Sequence, residues 1–269
     1  MGWPIMHSRS PMLHNYWFRQ HELAGTYVPL AIRPEGLAAA LRALHPLGFA
    51  GCSLTIPHKQ KAMKIVDEVD SLARSIGAIS CVVCRPDGSL AGTNNDCYGF
   101  IHNIRQEQPG WRADAGPIVV IGAGGGSRAV CYGLAQEGAK EIRLVNRSIA
   151  RAKIIAEEFA GPIKALPWEQ RHDALEGAAM IVNATSCGMV GQPALDIKLD
   201  KLPKGALAAD IIYIPLETPF LAAARQRGNR TVNGLGMLLH QGRPAWKAWF
   251  GIEPEVTAEL RAMVEKTIL

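Results

Sequence analysis

PIVVIGAGGGSR, Pro117 to Arg128, is the stretch that decides the fold. Ile118 to Ile121 is an unbroken apolar run, the pattern of a strand buried on both faces. A glycine turn, Gly122 to Gly126, follows it and opens a helix. Glycines at 122 and 124 permit a tight turn and let a pyrophosphate come close to the backbone. Ser127 takes the third small position of the G-x-G-x-x-G pattern. The first turn of a helix offers unpaired N–H groups and a partial positive charge, which favour phosphate. A glycine turn between strand and helix is also an ordinary loop, so the next segment has to decide.

That segment reads as a second buried strand, Glu141 to Val145, ending in Asn146-Arg147-Ser148. Domains that bind NAD place Asp or Glu about here, on the ribose 2′-hydroxyl. A carboxylate would repel a 2′-phosphate, whereas Arg147, with Arg151 one turn further on, would attract one through a planar fork of donors. Positive charge at a helix start opposes the helix dipole unless an anion compensates it. The residues therefore predict an NADP(H) site, against the alternative of two solvated arginines.

Working outward, apolar runs and helical stretches alternate along most of the chain. Before the glycine turn, strands are expected at Tyr27–Ala31, Phe49–Leu54, Ala78–Cys84 and Ser89–Gly92, the last two flanking a Pro86-Asp87-Gly88 turn. Helices are expected at Pro34–Leu44, Lys59–Val66 and Asp96–Gln106. After it come helix 127–137, helix 149–159, strands at 162–165, 179–184 and 207–212, and a helix from Pro219 to Arg227. Two helices broken near Pro254 close the chain. Such alternation implies parallel sheets with crossover helices.

At 269 residues the chain exceeds the usual single domain. With 48% hydrophobic and 20% charged residues it has the composition of an ordinary globular protein. No apolar run reaches the roughly 18 residues of a membrane helix. MGWPIMHSRSP lacks the apolar core of a signal peptide, so a cytoplasmic location is expected. A net charge of +5, spread along the chain, suits anionic small molecules and gives no support to nucleic-acid binding. Cys81 and Cys84 lie three apart in a strand and face opposite ways, and no second pair completes a metal site.

Three further segments can carry chemistry. In His7-Ser8-Arg9-Ser10-Pro11 the two serines can face a carboxylate or cap a helix. In Ser53-Leu54-Thr55-Ile56-Pro57-His58-Lys59 a strand runs into a proline turn and presents Lys59, either to a substrate oxygen or to solvent. In Gly92-Thr93-Asn94-Asn95-Asp96 the aspartate can cap the next helix or pair with Lys59 for proton handling.

Together these motifs resemble the shikimate dehydrogenase family: HSRSP (7–11), SLTIPHK (53–59), GTNND (92–96), GAGGGSR (122–128), NRSIAR (146–151), NATSCG (183–188), DIIYIPLETPFL (210–221) and NGLGMLLHQ (233–241), in matching order over essentially the whole chain. The resemblance implies two α/β domains with a cleft between them: a substrate domain with a mostly parallel sheet at 1–100 and 235–269, and a Rossmann-type NADP domain at 101–234. It implies Lys59 and Asp96 as the catalytic pair. Ser8 and Ser10 would hold the substrate carboxylate with Tyr213, and Thr55, Ser80 and Gln241 would contact the ring. Gly122, Gly124, Gly125, Gly126 and Ser127 would form the pyrophosphate turn, Asn146, Arg147 and Arg151 would clasp the adenosine phosphate, and Thr185, Gly234 and Met237 would lie near the nicotinamide. The implied reaction is the reversible, NADPH-linked reduction of 3-dehydroshikimate by a monomer or homodimer, without a metal.

The chain departs from the family at three points. Ser53 and Ser80 stand where the family has asparagine, and Asn94-Asn95-Asp96 replaces Asn-Thr-Asp. Serine lacks the amide pair, so a ring-hydroxyl bond is lost or bridged by water. An unpaired polar partner costs about 1–3 kcal/mol, enough to redirect specificity toward quinate or an amino-substituted ring acid. A non-catalytic NADP-binding protein is the rival of another class, against which the retention of both Lys59 and Asp96 argues.

Overall fold

Pro11 stands in the first turn of a helix, α1 (Ser10–Gln20), where its missing N–H costs no hydrogen bond. After α2 (Leu37–Arg42) come β1 (Gly51–Ser53), β2 (Glu68–Val69), α3 (Ser71–Ile76), β3 (Cys81–Cys84) and β4 (Leu90–Thr93). In this computed structural model, which describes residues 1–268, these elements belong to the first of two units, Met1–Asp96 with Leu239–Thr267. The second unit is Cys97–Leu238.

The first unit's sheet runs β1-β3-β4-β2. Its ladder is mixed where a mostly parallel one was expected: β1 with β3 and β3 with β4 are antiparallel, and β2 with β4 is parallel. The hairpin at Pro86-Asp87-Gly88 explains one antiparallel pair, with Gly88 at φ 84° and the Arg85 N–H bonded to Ser89 O at 2.9 Å. Parallel contacts enter instead through Gly2, which bridges Ala31, and Met1, whose carbonyl accepts the Thr55 N–H.

Two expected elements shrink here. Tyr27–Ala31 is extended chain with a single bridge, because Pro29 has no N–H to give a ladder. The helix expected at 59–66 is one 3-10 turn, Lys61–Lys64, since the Asp67 N–H already bonds Leu90 O and draws the chain into β2. Conversely, the short α3 carried no periodic signal, yet Asp70 caps it by accepting the Ala73 N–H at 2.6 Å, and Gly77 ends it at φ 73°.

Helix α4 (Asp96–Glu107) leads into the second unit: β5 (Ile118–Ile121), α5 (Gly125–Gln136), β6 (Ile142–Asn146), α6 (Ile149–Phe159), β7 (Ile163–Pro167), β8 (Met180–Asn183), β9 (Leu207–Asp210), α7 (Pro219–Gln226) and β10 (Arg230–Val232). All six strands are parallel, in the order β10-β9-β8-β5-β6-β7. Every residue of β5, β8 and β9 is buried, which is why β5 is wholly apolar and β8 and β9 are apolar up to their last residues, Asn183 and Asp210. The strand order reverses between β5 and β8, and ligands of such sheets sit beyond the strand ends at that point.

Helices α8 (Leu235–Phe250) and α9 (Ala258–Glu265) complete the chain. α8 lies close on α1 at Gly242, where a Cβ would come within 2.8 Å of Trp17. Trp246 donates from Nε1 to Nδ1 of the fully buried His14 at 2.8 Å, and burial pushes that histidine down to about 3, keeping it a neutral acceptor. Among the described residues no helix is long and apolar enough to cross a membrane.

Candidate active site

The Lys59 ammonium is bonded to the Asp96 carboxylate. Lys59 leaves the proline turn that follows β1, and Asp96 opens α4, so strand and helix ends 37 residues apart deliver opposite charges to one point. The side chains are 18% and 5% exposed, so the pair is sheltered but reachable from solvent through the lysine. Asp96 does not serve as a cap. The Asn94 Oδ1 takes the Asp96 N–H at 2.9 Å, which leaves the Asp96 carboxylate to Lys59.

The other first-unit residues fall into two groups. Ser8 is half-buried and Ser10 buried, and the Ser10 N–H donates to Ser8 Oγ at 3.2 Å, so both hydroxyls lie at the N-terminal end of α1. Arg9 between them is tied to the C-terminal segment, with Nε on Thr267 Oγ1 at 2.9 Å and Nη2 on Thr267 O at 2.8 Å. Sequence patterns gave no hint of that tie, because its partner is 258 residues away. Thr55 and Gln241 are each half-buried, Thr55 against Gly2, where a Cβ would come within 2.4 Å of its methyl.

Ser53 and Ser80 are placed differently from Ser8 and Ser10. Ser80 is 1% exposed, and its Oγ accepts the Asn95 N–H at 2.8 Å. Ser53 hydrogen-bonds the Tyr27 hydroxyl, whose pKa burial raises and this bond draws back. Both hydroxyls serve the protein's own framework.

In the second unit, Gly122 follows β5 at φ 115°, a region that favours glycine. A Cβ there would lie 2.9 Å from Ala184 O and from the Thr185 methyl, so the turn and Thr185 are in contact at the ends of β5 and β8. A Cβ on Gly124 would meet nothing within 4 Å. No side chain caps α5, and Ser127 Oγ is spent on Gly122 O. Open space over uncapped amides at the switch point fits a pyrophosphate. Arg147 and Arg151 are exposed and form no ion pair among the described residues, while the Asn146 Nδ2 steadies the turn on Ser148 O at 2.9 Å. Gly234 packs so tightly that a Cβ would come within 2.2 Å of Ile211 O, and Met237 is buried in the first turn of α8.

A buried polar network closes this end of the sheet, and only its motifs were visible in the sequence. Asp210 accepts from Asn183 Nδ2 at 3.1 Å, Thr218 Oγ1 at 2.8 Å and the Ile212 N–H at 2.9 Å. Asn183 Oδ1 in turn accepts from Thr185 Oγ1 at 2.7 Å. Burial pushes the Asp210 carboxyl up to about 6, with these donors pulling the other way. Polar residues ending continuous apolar strands were the available signal, and they fix the loops that carry Thr185 and Tyr213.

The six-stranded sheet with its glycine turn at the switch point places the chain among the dinucleotide-binding α/β proteins. The family model described as the shikimate dehydrogenase substrate binding domain matches residues 1–82, and that described as shikimate / quinate 5-dehydrogenase matches residues 106–213. The chain is 52% identical to a shikimate dehydrogenase (NADP(+)) of Rhodospirillum rubrum, over 98% of this chain and 95% of the relative. It is 50% identical to one of Paramagnetospirillum magneticum, over 98% and 96%. Among solved structures, quinate dehydrogenase from Corynebacterium glutamicum in complex with NAD superposes at a TM-score of 0.89 and 30% identity, covering 97% of this chain and 95% of that one. The Thermus thermophilus shikimate 5-dehydrogenase in complex with NADP(H) and shikimate superposes at 0.87 and 32% identity, covering 100% and 97%. This chain belongs to the shikimate dehydrogenase family.

Proposed function

We propose that the chain catalyses the reversible NADP(H)-dependent interconversion of shikimate and 3-dehydroshikimate. The observation that carries this reading is the Lys59–Asp96 pair, because binding alone has no use for an ammonium and carboxylate joined at a sheltered but accessible position. In the reductive direction the Lys59 ammonium hydrogen-bonds the substrate's C3 oxygen and gives it a proton. In the oxidative direction the neutral Lys59 amine takes that proton back, while Asp96 orients the lysine and balances the charge of its ammonium form. When bound by the second unit's glycine turn, NADP(H) would supply or accept the hydride.

In this reading Ser8, Ser10 and Tyr213 hold the ring carboxylate, and Thr55 and Gln241 take ring hydroxyls. Gly122, Gly124, Gly125, Gly126 and Ser127 form the turn under the pyrophosphate. Asn146, Arg147 and Arg151 receive the adenosine 2′-phosphate, supported by two exposed guanidiniums beside the start of α6 that form no ion pair among the described residues. Thr185, Gly234 and Met237 belong to the nicotinamide side. Cytoplasmic placement goes with this reading, since all six cysteines are free thiols.

Steady-state kinetics on shikimate and on quinate, each with NADP+ and NAD+, test the assignment. The expected result is the highest kcat/KM for shikimate with NADP+. A kcat/KM for quinate several orders of magnitude above that for shikimate would overturn the substrate assignment and leave the fold and cofactor readings standing.

A further inference from the structure

The three residues Ala78–Ser80, between α3 and β3, are bonded to the segments that carry both members of the charged pair. The Ile79 N–H donates to Lys59 O at 3.0 Å. The Asn94 Nδ2 donates to Ala78 O at 2.8 Å, and Ser80 Oγ accepts the Asn95 N–H at 2.8 Å. Ser80 is itself held at both ends of its backbone: its N–H donates to Thr93 O at 2.9 Å, and its carbonyl accepts the Leu54 N–H at 2.8 Å. This short segment therefore joins the turn bearing Lys59 to the turn bearing Asp96.

We propose that Ser80 is a positioning residue: its hydroxyl fixes the Asn95 N–H and thereby the first turn of α4, which brings Asp96 to Lys59. The inference rests on the reading of Lys59 and Asp96 as the groups at the reacting oxygen. It assigns to Ser80 a role different from the ring contact that the family pattern implied. With 1% of its surface exposed and its oxygen accepting a buried amide, Ser80 serves the pair's geometry. Removing the oxygen leaves the Asn95 N–H buried without its acceptor, and the turn relaxes to find another. Displacements of about 1 Å at a catalytic group can cost about a hundredfold in rate.

The test is a double-variant cycle in shikimate oxidation, using Ser80→Ala, Asp96→Asn and the two combined. Ser80→Ala is expected to lower kcat at least tenfold with the shikimate KM within twofold. In the Asp96→Asn background the same change is expected to cost less than twofold, because nothing remains to be positioned. Ser80→Thr, which keeps the acceptor oxygen, is expected to recover kcat to within threefold of the parent. Should Ser80→Ala not fold, Ser80→Cys keeps the volume with a weaker acceptor and is expected to show the kcat loss in smaller measure. Amide exchange at Asn95 is expected to quicken at least tenfold in whichever of these two variants folds.

A rise in KM above fivefold with kcat unchanged would make Ser80 a substrate contact and overturn the proposal. So would a full multiplicative loss in the Asp96→Asn background, or unchanged exchange at Asn95. Failure of the underlying reading shows separately, as an Asp96→Asn single variant that keeps its turnover.

Discussion

Raising the pH from 5 to 7.5 should weaken the second unit through one carboxylate, Asp210. Its carboxyl is buried at the end of β9 and pushed from 3.8 up to about 6. Two pH units of difference between folded and unfolded states correspond to about 3 kcal/mol at about 1.36 kcal/mol per unit. The folded pKa is the higher one, so between the two values the native state holds the extra proton. That contribution is fully present below the unfolded pKa and is lost as pH rises through the folded one. About half of the loss, on the order of 1–2 kcal/mol, falls between pH 5 and 7.5, which for a unit of this size is a few degrees in Tm. Asp210→Asn cannot ionise, and whatever hydrogen bonds it loses lower its Tm by an amount independent of pH. Thermal unfolding followed by circular dichroism at several pH values should therefore show a steeper decline for the parent than for the variant. Parallel curves would refute the argument and mean that the donors from Asn183, Thr218 and Ile212 offset the burial entirely.

Other outcomes follow from the same geometry. Arg147→Ala should weaken NADPH about tenfold or more, the worth of a charge-assisted hydrogen bond of about 1.5–3 kcal/mol, while NADH binding changes less than twofold; equal weakening measured by fluorescence titration would remove Arg147 from the phosphate clasp. Gly122→Ala combines an unfavourable φ of 115° with a contact of 2.9 Å to Ala184 O, so NADPH binding and the Tm of the second unit should both fall, and a variant with unchanged Kd and Tm would contradict the close approach. Arg9→Ala frees the loop between Ser8 and Ser10 from Thr267, so the shikimate KM should rise several-fold with kcat within twofold. A kcat loss with unchanged KM would count against the carboxylate role of those serines.

Much of the nucleotide-binding unit was legible because local signals agree there. Ile118–Ile121 is continuously apolar since both faces of β5 are covered, and the glycines that follow are forced by a backbone turn that Gly122 alone satisfies at its angle. The first unit was harder. Its strands are three or four residues long or shorter, and their direction depends on partners rather than on pattern: only the Pro86-Asp87-Gly88 turn announces an antiparallel pair. The extended Tyr27–Ala31 run has strand composition, but Pro29 takes away the donor that a ladder requires. At the site, residue types were readable and their targets were not. Asp96 reads equally well as a cap or as half of an ion pair until Asn94 is seen to take the amide. Ser80 reads as a shortened ring contact until its hydroxyl is found on a backbone amide 15 residues along the chain.

The central claim is that the Lys59–Asp96 pair handles the proton of a ring alcohol while the cofactor is held by other residues. Lys59→Ala, measured for kcat in shikimate oxidation alongside NADP+ Kd, tests it most directly. The expected result is a fall in kcat of about a hundredfold or more, in the range of general acid–base catalysis, with NADP+ affinity within twofold of the parent. Turnover at the parental rate in that variant would contradict the account.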